Sequence, residues 1–365
     1  MMNTMSIKRI CEEVLKSVIR IKTEISLDAI EKKMIKIHPE WDGLKWDERN
    51  SIAKKYENAY ICYKNITGKW SKYFVPDTLY QTEFLPILNP IDYNNFKYPH
   101  RTSFFEDKNY IELTMPNVRF PKSILHRINT VFFDSSYNQI NTKDAEQMLK
   151  QRVPFFAKKS IGSGHGAGVL RIEREDCIKD FLLSFGNDYV CQEPIEQHTF
   201  FSNYNDTSVN VIRITTINWK GEVFVLGAIL RVGPPGGVCD LVSHDGHNPR
   251  IVGVDSRGHL MSSVVDPVDG TVYKDIFGKK TNDVVPCFDD MRRIAIHNHE
   301  RFPSYGIIGW DFTVDKDENI ICIEYNTFIP GIVQSQYVLG PIFDVRVGES
   351  GECLFESLMN EANKH

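Results

Sequence analysis

Near its C-terminal end the chain sets an acid inside one apolar run, and an acid and an amide at the close of another. The first run is Ile307-Ile308-Gly309-Trp310-Asp311-Phe312-Thr313-Val314 and the second is Ile320-Ile321-Cys322-Ile323-Glu324-Tyr325-Asn326, with five polar residues between them. Two apolar runs around a short polar turn read as a β-hairpin buried on at least one face. Glu324 and Asn326 are two apart, so on a strand they share a face. If Asp311 pairs opposite them, three oxygen ligands converge. Hard cations such as Mg²⁺ take that arrangement, with phosphate oxygens completing the octahedron. A carboxylate among Ile, Trp and Phe is costly without a partner, so a metal or a donor is expected there. The plainer alternative is a hairpin whose acids face solvent.

A second chemical feature is Phe155-Phe156-Ala157-Lys158-Lys159-Ser160-Ile161-Gly162-Ser163-Gly164-His165-Gly166-Ala167-Gly168-Val169. A strand ends in a lysine pair, enters a loop rich in glycine and returns to a strand. Small residues let backbone N–H groups close on phosphate oxygens while a lysine supplies charge. The order is not that of a P-loop. Nor is it a dinucleotide fingerprint, because a strand rather than a helix follows. Glycine-rich hairpins over phosphates also occur in kinases, and a flexible turn is the bland alternative. Candidate phosphate contacts are Lys158, Gly162, Ser163, Gly164 and Gly166.

Downstream, Tyr189-Val190-Cys191-Gln192-Glu193-Pro194-Ile195-Glu196-Gln197-His198 is an apolar strand that runs into polar residues. Alone it reads as a strand end. Beside a nucleotide it offers backbone groups to an adenine edge and a carboxylate to ribose hydroxyls, through Gln192, Glu193, Ile195 and His198. Two arginines, Arg213 and Arg231, interrupt β-branched runs that read as neighbouring strands. Each needs an anion there, either a transferring phosphoryl group or a structural carboxylate.

The elements that must position these groups follow from periodicity. Apolar positions at 7, 10, 11, 14, 15, 18 and 19 form a helical stripe within residues 6–36, and aromatics crowd a helical region at 41–75. Prolines at 76, 86, 90 and 99 suggest an extended connector. A helix from about Asp107, a turn at Pro116-Asn117, a strand at 130–133 and a short helix at 142–151 come next. Strands are then expected at 153–159, 168–173, 189–193, 208–218 and 222–232, with a turn at Lys220-Gly221, and helices at 176–184 and 287–300. The order is mixed α+β with antiparallel hairpins and no regular βαβ alternation.

The 365 residues suffice for two or three lobes, and their composition is that of an ordinary soluble protein. A net charge of −5 argues against a general nucleic-acid surface. The eight cysteines are scattered, with no CxxC pair, as expected of reduced thiols. There is no membrane-length apolar run and no signal-like N-terminus, so a cytoplasmic protein is expected. His244 and His247 flank Asp245, but no third ligand follows at a metal spacing, so loop histidines near an acceptor substrate are the better reading.

Taken in order, the lysine, glycine-rich hairpin, polar-ended strand, arginine strand and Asp…Glu-x-Asn hairpin resemble the ATP-grasp superfamily over about residues 104–345. The spacing from Asp311 to Glu324 and Asn326, followed by Pro330-Gly331, is similar to the metal hairpin of D-alanine–D-alanine ligases. Asp107-Lys108 ahead of Pro121 resembles their first nucleotide-phosphate lysine, and Lys158 falls on the second, with Lys159 where those ligases carry proline. Residues 208–216, Gly227-Ala228-Ile229-Leu230-Arg231-Val232-Gly233 with Asp240, and Ile308-Gly309-Trp310-Asp311 resemble the sugar-transfer-associated ATP-grasp subgroup. D-alanine ligases place an arginine two residues before the first metal acid. Here that position is Gly309, which leaves Arg213 or Arg231 to supply the charge.

The resemblance implies an α+β ATP-grasp fold, two lobes clasping ATP, after a helical N-terminal region. Its expected divisions are residues 1–100, a pre-grasp segment 101–150, a small lobe 151–205 and a large lobe 206–365. It implies ATP and two Mg²⁺ ions, phosphorylation of a carboxylate, and attack by an amine, with a sugar-linked acid in cell-surface polysaccharide synthesis as the expected substrate. Implied roles are Lys108 and Lys158 on phosphates, Arg213 or Arg231 on the transferred group, and Asp311, Glu324 and Asn326 on metal. A kinase acting on a hydroxyl, an amino-acid or peptide ligase of secondary metabolism, and a non-catalytic nucleotide-binding subunit are the competing readings. The intact basic and acidic set argues against the last. Substrates and oligomeric state are not legible in the sequence.

Overall fold

The computed structural model describes residues 105–161, 168–327 and 330–362, together with residues 29, 32–33, 36–37, 75, 80 and 84–88. The apolar stripe at positions 7–19, the aromatic region 41–74 and the glycine-loop residues Gly162, Ser163, Gly164 and Gly166 lie outside the described residues. Within the stretch expected to be an extended connector, helix α1 (Leu85–Leu88) forms a single turn with Leu85 and Leu88 buried. Pro86 is tolerated because it sits in the first turn, where its missing N–H is not needed. The helix expected from Asp107 is likewise reduced to one turn, α2 (Ile111–Thr114). Asp107 Oδ1 accepts from Asn109 N at 2.9 Å, a local turn that competes with helix.

A first sheet is built from β1 (Ser123–Ile128), β2 (Val131–Asp134), β3 (Gln139–Ile140), β4 (Phe155–Lys159), β5 (Val169–Ile172) and β6 (Tyr189–Gln192). Its order is β3-β2-β1-β6-β4-β5, antiparallel throughout. Helices α3 (Thr142–Lys150) and α4 (Ile178–Ser184) bury Ala145, Leu149, Ile178, Phe181 and Leu182 against Phe155 and Ala157 on one face. Asn141 caps α3 by accepting from Asp144 N at 3.0 Å. The sheet draws strands from both sides of residue 150, so the segments 101–150 and 151–205 share it.

After α5 (Thr199–Tyr204), a second sheet collects β7 (Val211–Trp219), β8 (Glu222–Val232), β9 (Arg250–Val254), β10 (Leu260–Val265), β11 (Val272–Tyr273), β12 (Ile307–Val314) and β13 (Ile320–Asn326). The order is β11-β10-β9-β8-β7-β12-β13. β7 and β8 close at Lys220-Gly221, whose φ values of 54° and 90° are those of a primed hairpin turn. One face packs on α6 (Phe288–Glu300) through Ile212, Ile214, Leu230, Trp310 and Phe312. The other face is covered at one end by α7 (Ile332–Leu339) and, beyond the short pair β14 (Arg346–Val347) and β15 (Glu352–Cys353), by α8 (Leu354–Ala362). Among the described residues no helix is long and apolar enough to cross a membrane.

Candidate active site

The large-sheet wall of the site is an alternation argument with one interruption. Ile212 and Ile214 belong to the core beneath, so Arg213 between them faces the other way. Arg231, paired to Val211 two residues along, lies on Arg213's face, and Asp311 pairs directly with Arg213 from β12. In β13 the register slips: Val314, Thr313 and Phe312 pair with Ile320, Ile321 and Cys322, but Asp311 pairs with Glu324. Ile323 is the extra residue of a β-bulge, and both Ile323 and Glu324 line the cleft. The bulge keeps Cys322 and Tyr325 in the core while bringing Glu324, and Asn326 opposite Gly309, to Asp311's face.

Asp311 is almost fully buried between two guanidiniums. Arg213 donates Nε to Oδ1 at 2.5 Å and Nη2 to Oδ2 at 2.8 Å, and Arg231 Nη2 stands 2.9 Å from Oδ2. Burial would raise the proton affinity of this carboxyl, yet the two guanidiniums hold it below its ordinary range. The remaining Arg213 nitrogen donates to the Pro330 carbonyl. That path crosses Gly309, where a Cβ would lie 3.0 Å from Pro330 Cβ and 3.1 Å from Arg213 Nη1. Glycine thus stands at 309 because the neighbouring strand's arginine occupies the space. Arg231 Nε approaches Asp240 Oδ2 to 2.7 Å, an ion pair whose N–H is not aligned on the oxygen, so both atoms lack a hydrogen bond.

Opposite stands the face of the first sheet that α3 and α4 leave uncovered. Phe156, Lys158, Val169 and Gln192 line the cleft from it. Lys108 joins them because its backbone N–H bonds the Ser160 carbonyl at 2.9 Å, two residues beyond Lys158. Burial first, and the nearby Lys108 ammonium second, push the Lys158 amine down to about 8. Lys108 Nζ reaches across to Glu324 Oε2 at 3.2 Å. Burial raises the Glu324 carboxyl, but Lys108 and Arg213 together outweigh it, so this group too is held below its usual range. Glu193 and Ile195 close the cleft at the crossing between sheets, and Val238, Cys239 and Asp240 wall it on another side. The space between the walls is about 820 Å³ with its open mouth included.

The sequence profile described as "Sugar-transfer associated ATP-grasp" matches residues 93–346, well over half of the chain. The chain belongs to this ATP-grasp family. No curated protein is significantly similar to it in sequence. Among solved structures it is similar to the biotin carboxylase domain of Hydrogenobacter thermophilus 2-oxoglutarate carboxylase (TM-score 0.45, 14% identity, covering 92% of this chain and 68% of that one). It is also similar to D-alanyl-alanine synthetase A from Vibrio cholerae (TM-score 0.44, 11% identity, 73% and 66%). A third is N5-carboxyaminoimidazole synthase from Aspergillus clavatus (TM-score 0.37, 10% identity, 61% and 44%). The ATP-grasp chain thus spans less than half of that last protein's length.

Of the residues expected from sequence, the ATP-grasp cleft brings together Lys108, Lys158, Gln192, Glu193, Ile195, Arg231, Asp311 and Glu324. Arg213 lies behind Asp311 rather than on the cleft wall. Glu193 Oε1 is held by Lys122 Nζ at 3.0 Å and by Arg152. His198 is not a lining residue: its Nδ1 caps α5 by accepting from Phe200 N at 3.1 Å. Sequence reasoning passed over Cys239 and Asp240 as site residues, since neither sits in a periodic element. The signal available was Asp240's place in the family-like segment after Arg231. The Asp240 carboxyl is pushed up by burial, only partly offset by Arg231. His244 and His247 bond each other's backbones in a turn (2.9 and 2.8 Å), and no group of three or more His, Cys, Asp or Glu among the described residues is arranged for a metal.

Proposed function

We propose that this ATP-grasp protein is an ATP-dependent carboxylate–amine ligase acting on a sugar-linked carboxylate. The observation that carries the reading is the facing of Lys108 and Lys158 on one wall against Asp311 and Glu324 on the other, with Arg231 beside them in one cleft. The lysines bind the phosphates, and Gln192, Glu193 and Ile195 take the base and ribose. A substrate carboxylate oxygen attacks the γ-phosphorus as the bond to the ADP oxygen breaks. An amine then attacks the acyl carbon, expels phosphate and loses a proton, leaving an amide. Arg231, the arginine on the cleft wall, stabilises the charge on the transferred group, while Arg213 anchors Asp311.

Mg²⁺ fits the donor set provided that Asn326 contributes. Its buried Nδ2 has no hydrogen-bond partner, and turning the amide over offers an oxygen on the face of Asp311 and Glu324. Asp311, Glu324 and Asn326 would hold Mg²⁺ there, and the ion would supply charge compensation to the nucleotide phosphates. The deciding experiment supplies ATP, hydroxylamine and a panel of uronic acids and nucleotide sugars. An acyl hydroxamate with ADP supports the ligase. A stable phosphoester would make the protein a kinase, and no ADP from any acceptor would sink the enzymatic reading.

A further inference from the structure

Both carboxylates of the β12–β13 hairpin are engaged by basic side chains, and these differ in how firmly they are held. Arg213 and Arg231 are buried at 6% and 4% exposure. Arg213 is pinned on its far side by the Pro330 carbonyl, and Arg231 lies between Asp311 and Asp240. Neither can leave without stripping a buried acid of its partner. Lys108 is different. It contributes a single flexible ammonium, partly exposed, and its backbone is tied to the opposite wall through Ser160. Its Nζ lies 3.2 Å from Glu324 Oε2, and a divalent cation would sit roughly 2.0–2.6 Å from the same oxygen. Ammonium and metal at those distances repel strongly in a partly desolvated cleft. Phosphate oxygens entering over Lys158 offer the ammonium a stronger anion than one carboxylate.

Resting on the metal role given to this hairpin above, we propose that Lys108 is the exchangeable counter-ion of Glu324. Its ammonium excludes a free divalent cation and moves to the nucleotide phosphates, so metal and nucleotide enter together. The pair also spans the cleft, one partner on each sheet's side, so the exchange is coupled to how the two walls meet.

The test uses the full-length protein and Mn²⁺ as a spin probe, titrated with and without ADP. Without nucleotide, Lys108→Met and Lys108→Gln should bind Mn²⁺ at least about 10-fold more tightly than the parent, in the usual range of coupled sites. Lys158→Met removes a charge from the same cavity but not the ion pair, and should change Mn²⁺ affinity little. Adding Glu324→Gln to Lys108→Met should abolish the gain. Equal gains for the two lysine variants would reduce the effect to general charge and overturn the exchange, as would no gain at all. If Mn²⁺ with ADP still depends on Glu324 in that case, only this proposal fails. If the gain survives Glu324→Gln, the metal lies elsewhere and the hairpin reading falls as well.

Discussion

Lys158 is a base held where its charge is disfavoured, by burial first and by Lys108 second. Phosphate binding favours the protonated amine and raises its pKa in the complex. Nucleotide affinity should therefore be full below about pH 8 and fall as pH rises above it, by up to about tenfold per unit. Calorimetry with ATP from pH 7 to 9.5 checks this, and Lys158→Ala should bind weakly with no such slope. The two arginines divide differently. Arg231→Ala should lower kcat by roughly 10²-fold while ATP still binds. Arg213→Ala instead leaves Asp311 short of its bidentate partner and should cost about 3–5 kcal/mol of stability, read by denaturant melts. A variant Arg213 protein of normal stability would return the catalytic role to that residue.

The hairpin β12–β13 is the element on which the proposed chemistry rests. It combines a fully buried strand, a bulge and a glycine. Gly309→Ala would push against Arg213 and Pro330, a close fit with little room to relax. We expect about 1–3 kcal/mol of destabilisation and a matching loss of activity, visible as a lowered melting temperature. Glu324→Gln keeps the shape and removes the charge. ATP turnover should drop by several orders of magnitude with the fold intact on circular dichroism, and near-normal turnover would refute a metal role. Beneath the hairpin, Trp310 Nε1 donates to Thr216 Oγ1 (2.8 Å) and Thr216 donates to His299 Nδ1 (2.7 Å). His299 Nε2 donates to the Tyr305 carbonyl (2.6 Å). The carbonyl accepts only, so Nε2 carries a proton; burial, which pushes the ring down to about 4, keeps Nδ1 unprotonated at neutral pH and able to accept from Thr216.

Across the whole molecule each sheet carries one such neutral histidine. His299 lies under the large sheet and His126 in β1 of the small one, and burial pushes both down to about 4. Their folded pKa is depressed below the unfolded value. The stability they contribute is therefore present above about pH 6.5 and lost as pH falls toward about 4. Urea melts at pH 7.5, 5.5 and 4.5 should show declining stability, and His299→Gln should flatten part of the decline. A profile with no change between pH 6.5 and 4.5 would contradict both burials. Because the cleft is lined from both sheets, a nucleotide bound as proposed would touch both walls. Saturating MgATP should raise the midpoint of a single transition rather than separate two.

The hairpins, their order, and the placing of Lys158, Arg213, Asp311 and Glu324 on strands were legible in the sequence, because alternation and turn chemistry are local. The turn at Lys220-Gly221 and the 222–232 strand were read directly. β1 was missed because His126 and Arg127 break its apolar run, and β9 and β10 were missed although Asp255-Ser256-Arg257-Gly258 between them is a turn sequence. The site itself needed the third dimension. Counted regularly from Val314 opposite Ile320, Asp311 would face Ile323, and Glu324 would turn into the core. Only the bulge, held in place by Cys322 and Tyr325 packing beneath the sheet, brings the two acids face to face. The place of Arg231 on the cleft wall with Arg213 behind Asp311, the arrival of Asp240, and Lys108 beside Lys158 through Ser160 depend on contacts between residues far apart in the chain. No local pattern encodes those contacts, because packing and long-range hydrogen bonds settle them.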